Sequence, residues 1–275
     1  MATRTATFGD ELRRWRTARR MSQLDLAVAA EVSQRHVSFL ETGRSKPSPE
    51  MVVHLGGVLD MSLRDQNALL TAAGFSPAFA ERGLDDPDLD QVRHVLETLL
   101  AAHGHYPAYV VDRGWDLVLA NPAALLLTAL VDPGTPPDVA GNILRMTLHP
   151  AGIKPFVVDW DRLATALLHR LEREVAHRPH DERIVALMEE VTGYPGIAEL
   201  PARAMLPDGN DLLVPVHVRV DGRDLRFFTT IATIGAPFDV TLEELRIETL
   251  LPADADTEAF LREAHDASGG SDPDD

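Results

Sequence analysis

The first 74 residues carry closely spaced signals for helix starts, and these constrain the fold more than any other feature of the chain. A serine before a run of apolar residues at helical spacing can cap that helix by accepting a backbone N–H. Such serines occur at positions 22, 33, 48 and 62. Ser22 and Ser62 are each followed three residues later by an aspartate, as in a capping box. The intervals between these signals favour short helices joined by tight turns.

We therefore predict a small all-helical domain of five helices over residues 1–76. The predicted helices are one marked by Phe8, Leu12 and Trp15, one that begins near Gln23, one from Gln34 to Glu41, one that begins at Pro49 and one that Gly74 closes. Because the second and third helices are so close in sequence, we expect them to cross steeply rather than lie antiparallel. That arrangement is a helix-turn-helix.

This region resembles the XRE type of DNA-binding domain, that of Cro and lambda repressor. The resemblance covers residues 8–73 and rests on Leu12-Arg13-x-x-Arg16, Ser22-Gln23-x-x-Leu26-Ala27, Val32-Ser33, Val37-Ser38, Glu41-x-Gly43-Arg44 and Pro47-Ser48. It implies that the partner is double-stranded DNA, bound at a specific operator.

The third predicted helix carries the candidate base contacts. A helix in the major groove needs polar side chains on its outer face and apolar ones behind. Gln34, Arg35 and Ser38 can supply that outer face. Arg pairs with guanine and Gln with adenine, and each pairing is worth about 1–3 kcal/mol of discrimination. The alternative is that these polar residues are only a solvated helix face.

Three further residues are predicted to contact phosphates, which fix the register of the protein on DNA without reading sequence. They are Gln23, Ser33 and Arg44. The resemblance assigns this role to Gln23, at a helix N-terminus, and to Arg44, just past the recognition helix. It also implies that Arg16 and Glu41 form an ion pair inside the domain, so that removing one partner leaves a poorly compensated charge.

Glu31 is a departure from the XRE pattern, which usually has glycine in this turn. A left-handed backbone costs a residue other than glycine about 1 kcal/mol. We therefore expect the turn to be slightly reshaped.

Charge is unevenly distributed along the chain. The 275 residues include 26 Lys and Arg against 43 Asp and Glu, a formal charge of −17. Such a total ordinarily argues against nucleic-acid binding. Residues 1–46, however, carry nine basic and five acidic side chains, a net +4, whereas the remaining 229 carry −21. We expect the acidic remainder to keep non-specific DNA binding weak and strongly salt-sensitive.

Several classes of protein find no support in the sequence. The chain has no cysteine, which removes disulfides, thiol nucleophiles and zinc ribbons. It has no run of 18 apolar residues and no apolar stretch near its start, so we expect no membrane contact and a cytoplasmic location. Walker, Gly-x-Gly-x-x-Gly and Gly-x-Ser-x-Gly motifs are absent, and the histidines lack metalloprotease spacing. We expect no enzymatic activity, no metal ion and no cofactor.

Residues 77–104 are predicted to form a linker and a connecting helix. The acidic segment Leu84-Asp85-Asp86-Pro87 is rich in turn formers. Apolar residues then recur at helical spacing from Leu89 to Leu100. This helix can pack on the next domain or on a second copy of itself.

Residues 105–253 are predicted to form an α+β domain. The expected strands are 106–112, 115–120, 212–220, 225–234 and 246–251, and the expected helices are 123–131, about 139–147, 159–177 and 181–192. Two strands, a run of helices and three more strands favour an antiparallel sheet with helices on one side. Residues 254–275 form an acidic tail, which we expect to be largely disordered.

The order of these elements resembles a PAS-like sensor fold, and the residues resemble the MmyB family of bacterial regulators. The matching pieces are Tyr109-Val110-Val111-Asp112-Arg113-x-Trp115-Asp116, Ala120-Asn121, Asn142-Ile143-Leu144-Arg145 and Thr71 to Phe75. The resemblance spans most of residues 8–253, although residues 193–235 depart from the family pattern.

This resemblance implies a domain that holds a small apolar ligand, such as a fatty-acid-like chain, between sheet and helices. Pockets of this kind are mostly apolar with a few polar anchors. Asn142, Arg145 and His149 share nearly one helical face and are candidates to meet a carboxylate, and Asn121 can add an amide. The alternative is that Asn121 only caps a helix and Arg145 is a surface ion-pair partner.

Taken together, the sequence predicts a DNA-binding transcription regulator that acts as a homodimer and whose C-terminal domain senses this ligand. Two copies that read sites about 34 Å apart multiply the specificity of a single recognition helix. The alternative is a DNA-binding scaffold whose PAS-like domain recruits another protein and binds no small molecule.

Overall fold

The computed structural model of the chain describes residues 7–128, 132–178, 181–200 and 215–267. The chain divides into two compact units. The first consists of residues up to Asp86 together with Ile234–Glu243, and the second consists of Pro87–Thr233 and the residues from Glu244 onward. Within the described ranges, no helix is both long enough and apolar enough to cross a lipid bilayer.

The first unit contains the five predicted helices. They are α1 (Phe8–Ala18), α2 (Gln23–Ala29), α3 (Gln34–Glu41), α4 (Pro49–Val58) and α5 (Leu63–Ala72). Ser22, Ser33, Ser48 and Ser62 each cap a helix by accepting a backbone N–H, and the Ser22–Asp25 capping box is complete. The predicted all-helical N-terminal domain is confirmed.

The apolar faces of these helices meet in one core. Its fully buried members include Leu12, Leu26, Val37, Leu40 and Leu55, which come from four different helices. α3, the predicted recognition helix, is therefore held by Val37 and Leu40, whose burial contributes about 1.5–3 kcal/mol for each such side chain.

The second unit is built around a five-stranded antiparallel sheet. Its strands are β1 (Ala108–Val111), β2 (Leu117–Ala120), β3 (Val216–Val220), β4 (Arg223–Thr233) and β5 (Arg246–Pro252). They lie in the order β2-β1-β5-β4-β3. The longest pairing joins β4 and β5, from Phe227 opposite Pro252 to Thr233 opposite Arg246. The predicted antiparallel sheet with helices is confirmed.

The helices of the second unit are α6 (Asp90–Ala102), α7 (Pro122–Thr128), α8 (Pro137–Ala140), α9 (Ile143–Leu148), α10 (Trp160–His177), α11 (Glu182–Thr192) and α13 (Ala255–Ala267); α12 (Val240–Glu244) begins in the first unit. One helix was expected at about 139–147, but two are present. They are separated because the Asn142 side chain caps α9 by accepting the Arg145 N–H. Residues 129–131 of the predicted helix 123–131 and residues 212–214 of the predicted strand 212–220 lie outside the described residues.

Two domain boundaries differ from those predicted. The expected disorder of 254–275 is wrong for Ala255–Ala267, which forms α13. This helix forms because Thr257 and Leu261 are buried on one of its faces, although the segment is rich in acidic residues. Residues 268–275 lie outside the described residues. The first unit extends past residue 76 because Asn67 of α5 hydrogen-bonds Ala78 and Phe79. It also includes Ile234–Glu243, which sequence analysis assigned to the C-terminal domain.

Candidate DNA-binding face and ligand cavity

The outer face of α3 displays the side chains predicted to read bases. Gln34 and Arg35 are exposed and Ser38 is half-buried, whereas Val37 and Leu40 on the opposite side are buried. The division follows from helical periodicity, which puts positions 37 and 40 on one stripe. Polar groups therefore face outward on a helix whose other side is fixed in the core.

The ring of Phe39 lies beside two of the predicted DNA contacts. The guanidinium carbon of Arg35 is 5.0 Å from the ring centroid, and that of Arg44 is 5.8 Å from it. Arginine over an aromatic face is stabilised electrostatically. Ser33 is also a predicted phosphate contact. Its hydroxyl caps α3 by accepting the His36 N–H.

Glu41, at the end of α3, is the buried acceptor of a charged network. Its side chain is 0 % exposed, and Arg16 donates to it from Nε at 2.6 Å and from Nη2 at 3.1 Å. Arg13 Nε donates at 3.3 Å and Gln23 Nε2 at 2.8 Å. Burial raises the pKa of Glu41, but the hydrogen bonds from Arg16, Gln23 and Arg13 outweigh it, and the net pKa lies below its usual value.

The turn between α2 and α3 contains Glu31 in a left-handed conformation, with φ of 54°. The turn is not reshaped as expected, because Glu31 itself adopts the left-handed backbone that glycine usually takes there. Glu31 is exposed, so the conformational cost is not repaid by burial of its side chain.

The second unit encloses a cavity of about 410 Å³ between the sheet and α9 and α10. This volume lies within the usual range for small-molecule pockets, roughly 300–1,000 Å³. The lining is mainly apolar, with Ile143 and Met146 from α9, Leu163 and Leu167 from α10, and Phe227 from β4. These side chains alternate with outward-facing ones along each element, so the cavity results from the same periodicity that builds the core.

One wall of the cavity is polar. Tyr109 Oη donates to Glu248 Oε2 at 3.1 Å, and Arg170 Nη2 donates to Glu248 Oε1 at 2.8 Å. Burial and the neighbouring Glu248 carboxylate raise the pKa of Tyr109, so its hydroxyl stays protonated and donates. Arg173, one turn along α10, also lines the cavity. No residue within the described ranges hydrogen-bonds or ion-pairs with its guanidinium.

Trp115 contributes an indole to the same wall. Two guanidinium groups lie over its ring, with the Cζ of Arg170 at 4.1 Å and that of Arg246 at 4.7 Å from the centroid, and its Nε1 donates to Glu174 at 3.1 Å. Its backbone has φ of 66°, which a bulky residue adopts only when its surroundings impose it. The two arginines and the hydrogen bond to Glu174 hold the indole in place, and with it the backbone of Trp115.

The four residues predicted to anchor a ligand have other partners and are not part of the cavity lining. Asn121 is buried and accepts from Ala108 N and Ala124 N, and Asn142 donates to Gly114 O at 2.7 Å. Arg145 pairs with Glu190 at 2.7 Å, and His149 packs edge-on against Tyr194. These are the contacts expected of caps and surface pairs, the alternative that the sequence left open for Asn121 and Arg145.

Arg170 and Arg173 are not among the site residues predicted from the sequence. The signal was available, because Ala166, Arg170 and Arg173 follow one stripe of α10 at helical spacing. When the apolar stripe of a helix lines a pocket and ends in two arginines, one end of that pocket is predicted to be charged. The link to Tyr109 and Glu248 depends on pairing between β1 and β5, which the sequence does not reveal.

Two comparisons with known families cover most of the chain. Residues 7–82 match a helix-turn-helix domain, and residues 92–264 match the MmyB-like transcription regulator ligand binding domain. No curated protein matches the chain. The first match contains α1 to α5 and the second contains the cavity. The chain belongs to the MmyB-like transcription regulators and combines a helix-turn-helix DNA-binding domain with a ligand-binding domain.

Proposed function

We propose that this regulator reads an operator through α3, with Gln34, Arg35 and Ser38 contacting bases. Gln23, Ser33 and Arg44 contact phosphates in this proposal. The observation that supports it best is the exposure of Gln34 and Arg35 on a helix whose opposite side is buried. The basic first segment of an acidic chain gives the same region its attraction for DNA.

Two variants separate the two kinds of contact. We expect Arg35→Ala to weaken binding mainly at the preferred operator, selected beforehand from random duplexes. Arg44→Ala should weaken binding to all sequences and lower the salt slope by about one unit. Arg262→Ala, an exposed arginine of α13, removes the same charge from the other unit and serves as control. An Arg35→Ala protein with unchanged sequence preference would refute the base contact.

The ligand is, we propose, a small amphipathic molecule with an apolar, fatty-acid-like chain and an acidic group. Apolar residues of α9, α10 and β4 supply the surface for the chain. Arg173 is a lining cation with no partner within the described ranges, whereas Arg170 is already paired with Glu248. Arg173 is exposed where it lines the cavity, so an anionic group can reach its guanidinium and accept a charge-assisted hydrogen bond.

Dodecanoate and dodecanol test this proposal, because they share one chain and differ in charge. Isothermal titration of the full chain should show tighter binding of dodecanoate, and Arg173→Gln should remove that preference. Arg145→Gln is the matched control, since Arg145 is bound to Glu190 and does not line the cavity. Equal affinity for both probes would refute the acidic group, and binding of neither would refute the apolar ligand.

We further propose that the regulator is a cytoplasmic homodimer. A single recognition helix reads few bases, so paired half-sites raise specificity. Sedimentation of the full chain should give twice the mass of 30.1 kDa, and a monomer that binds one half-site would refute the proposal. Solvent extraction followed by mass spectrometry should recover a stoichiometric apolar ligand from purified protein.

A further inference from the structure

The segment Ile234–Glu243, here termed the strap, joins the ends of β4 and β5 and belongs to the first unit. Its attachment in that unit is specific. Asp239 forms a parallel bridge with Ala80, and Val240 N donates to Ala80 O at 2.8 Å. The Asp239 carboxylate, with its side chain 7 % exposed, accepts from Arg82 at 3.0 Å.

A second attachment reaches α5. Glu243 Oε2 accepts the backbone N–H of Leu63, the first residue of α5, at 2.7 Å. That N–H has no partner within a helix, and a carboxylate at this end is favoured by the helix dipole. The strap is thus bound to the start of α5 as well as to residues 80–82.

Residues 78–80 are themselves fixed to α5. Asn67 Oδ1 accepts from Ala78 N at 2.9 Å and from Phe79 N at 3.0 Å, and Asn67 Nδ2 donates to Phe79 O at 2.7 Å. Leu69 and Leu70 of α5 lie in the same core as Leu40 of α3. A force on the strap therefore acts on the core that holds the recognition helix.

The strands that carry the strap also line the cavity. Ile231 of β4 and Glu248 of β5 face each other across the hairpin and are both cavity-lining residues. The strap begins three residues after Ile231. It contains Ala236 at φ of 49° directly before Pro237, a combination that leaves few alternative backbone conformations. A displacement at the end of β4 can therefore pass through Ala236 and Pro237 to Asp239.

We infer that the strap couples occupation of the cavity to the DNA-binding helices, through Asp239 and Glu243. This inference rests on the proposed function, since it assigns the route by which the ligand alters DNA affinity. Coupling requires that the ligand favour one arrangement of the β4–β5 hairpin over another. The strap then makes α5 respond to that preference.

Variants that release the strap test the inference on the full chain. Asp239→Asn keeps the shape of the side chain and Arg82→Ala removes its cationic partner. Arg223→Ala is the control, because it removes an exposed ion pair with Glu263 in the second unit. Circular dichroism and thermal unfolding establish that each variant is folded.

Operator affinity is measured by fluorescence anisotropy with and without dodecanoate. In the wild type and in Arg223→Ala, we expect dodecanoate to change the affinity by about 5–150-fold, the usual range for coupled sites. Asp239→Asn and Arg82→Ala should bind dodecanoate normally and lose this response. Retention of the full response in both variants would overturn the inference.

A cavity-filling variant keeps the test independent of the ligand. If dodecanoate does not bind the wild type, the proposed ligand is refuted, but Ala166→Phe still fills the cavity from α10. We expect this substitution to change operator affinity in the wild type and to have no effect when combined with Asp239→Asn. An Ala166→Phe protein with unchanged operator affinity, or with the same change in both backgrounds, would overturn the inference.

Discussion

Replacing Arg16 by methionine tests the charged network beneath the recognition helix. The substitution keeps most of the side-chain volume but removes two of the four hydrogen bonds that Glu41 accepts from side chains. Breaking a buried ion pair costs about 3–5 kcal/mol, because the remaining charge is left uncompensated. Arg13 and Gln23 still reach Glu41, so we expect the lower end, about 3 kcal/mol.

The double variant Arg16→Met/Glu41→Leu distinguishes a lost pair from a lost contact. Arg16→Met deprives Glu41 of two donors and Glu41→Leu deprives Arg16 of its carboxylate, whereas the double change removes both groups of the pair. We expect the double variant to be no less stable than either single one. The coupling energy is then about 3 kcal/mol, the upper end for groups in one network.

Native-state hydrogen exchange measures this energy within the full chain, because it reports opening of individual helices. The amides of α1 and α3 should exchange about a hundredfold faster in Arg16→Met, since 1.4 kcal/mol corresponds to tenfold. Exchange of α10 amides serves as an internal control. A change below about tenfold in α1 and α3 would refute the role assigned to the pair.

The pH dependence of the same network has a definite sign. The folded pKa of Glu41 lies below its unfolded value, so the ionised form stabilises the fold at neutral pH. This contribution is fully present above the unfolded pKa, about 4.3, and disappears as pH falls through the folded value. The stability difference between wild type and Glu41→Gln should therefore shrink on acidification.

Three further substitutions have outcomes that follow from local geometry. Glu31→Gly should stabilise the first unit by about 0.5–1 kcal/mol, because relief of the left-handed strain outweighs the larger conformational entropy that glycine loses on folding. A loss of stability on urea unfolding would contradict this. Gly9→Ala should cost about 1–3 kcal/mol in the same assay, since its Cβ would lie 2.5 Å from the Glu41 carbonyl oxygen. Asn142→Ala should lower the stability of the second unit by about 2–4 kcal/mol through lost buried hydrogen bonds, and a normal melting temperature would argue against that structural role.

The elements that sequence analysis predicted well are those whose signals are local. Each cap lies within three residues of the N–H that it accepts, so Ser22 and Ser33 mark helix starts without any tertiary information. The face of α3 follows from spacing within eight residues. The antiparallel sheet was indicated by the order of two strands, a run of helices and three more strands.

Elements that depend on distant pairing were not predicted. The candidate ligand anchors were chosen from one helical face, but Asn142 and Arg145 find nearer partners in Gly114 and Glu190. The polar wall joins Tyr109 to Glu248 across paired strands, 139 residues apart in sequence. No local pattern reports which carboxylate an arginine such as Arg170 will meet.

The strap has a consequence for how the chain is assembled during synthesis. Helices α1 to α5 leave the ribosome first and can fold as a unit, since domains generally fold in the order in which they are made. Asp239 follows Arg82 by 157 residues, and Glu243 follows Leu63 by 180. The DNA-binding unit is therefore completed only after β4 has been translated. A nascent chain that ends before β4 carries the recognition helix without the strap, and so without the control that we assign to it.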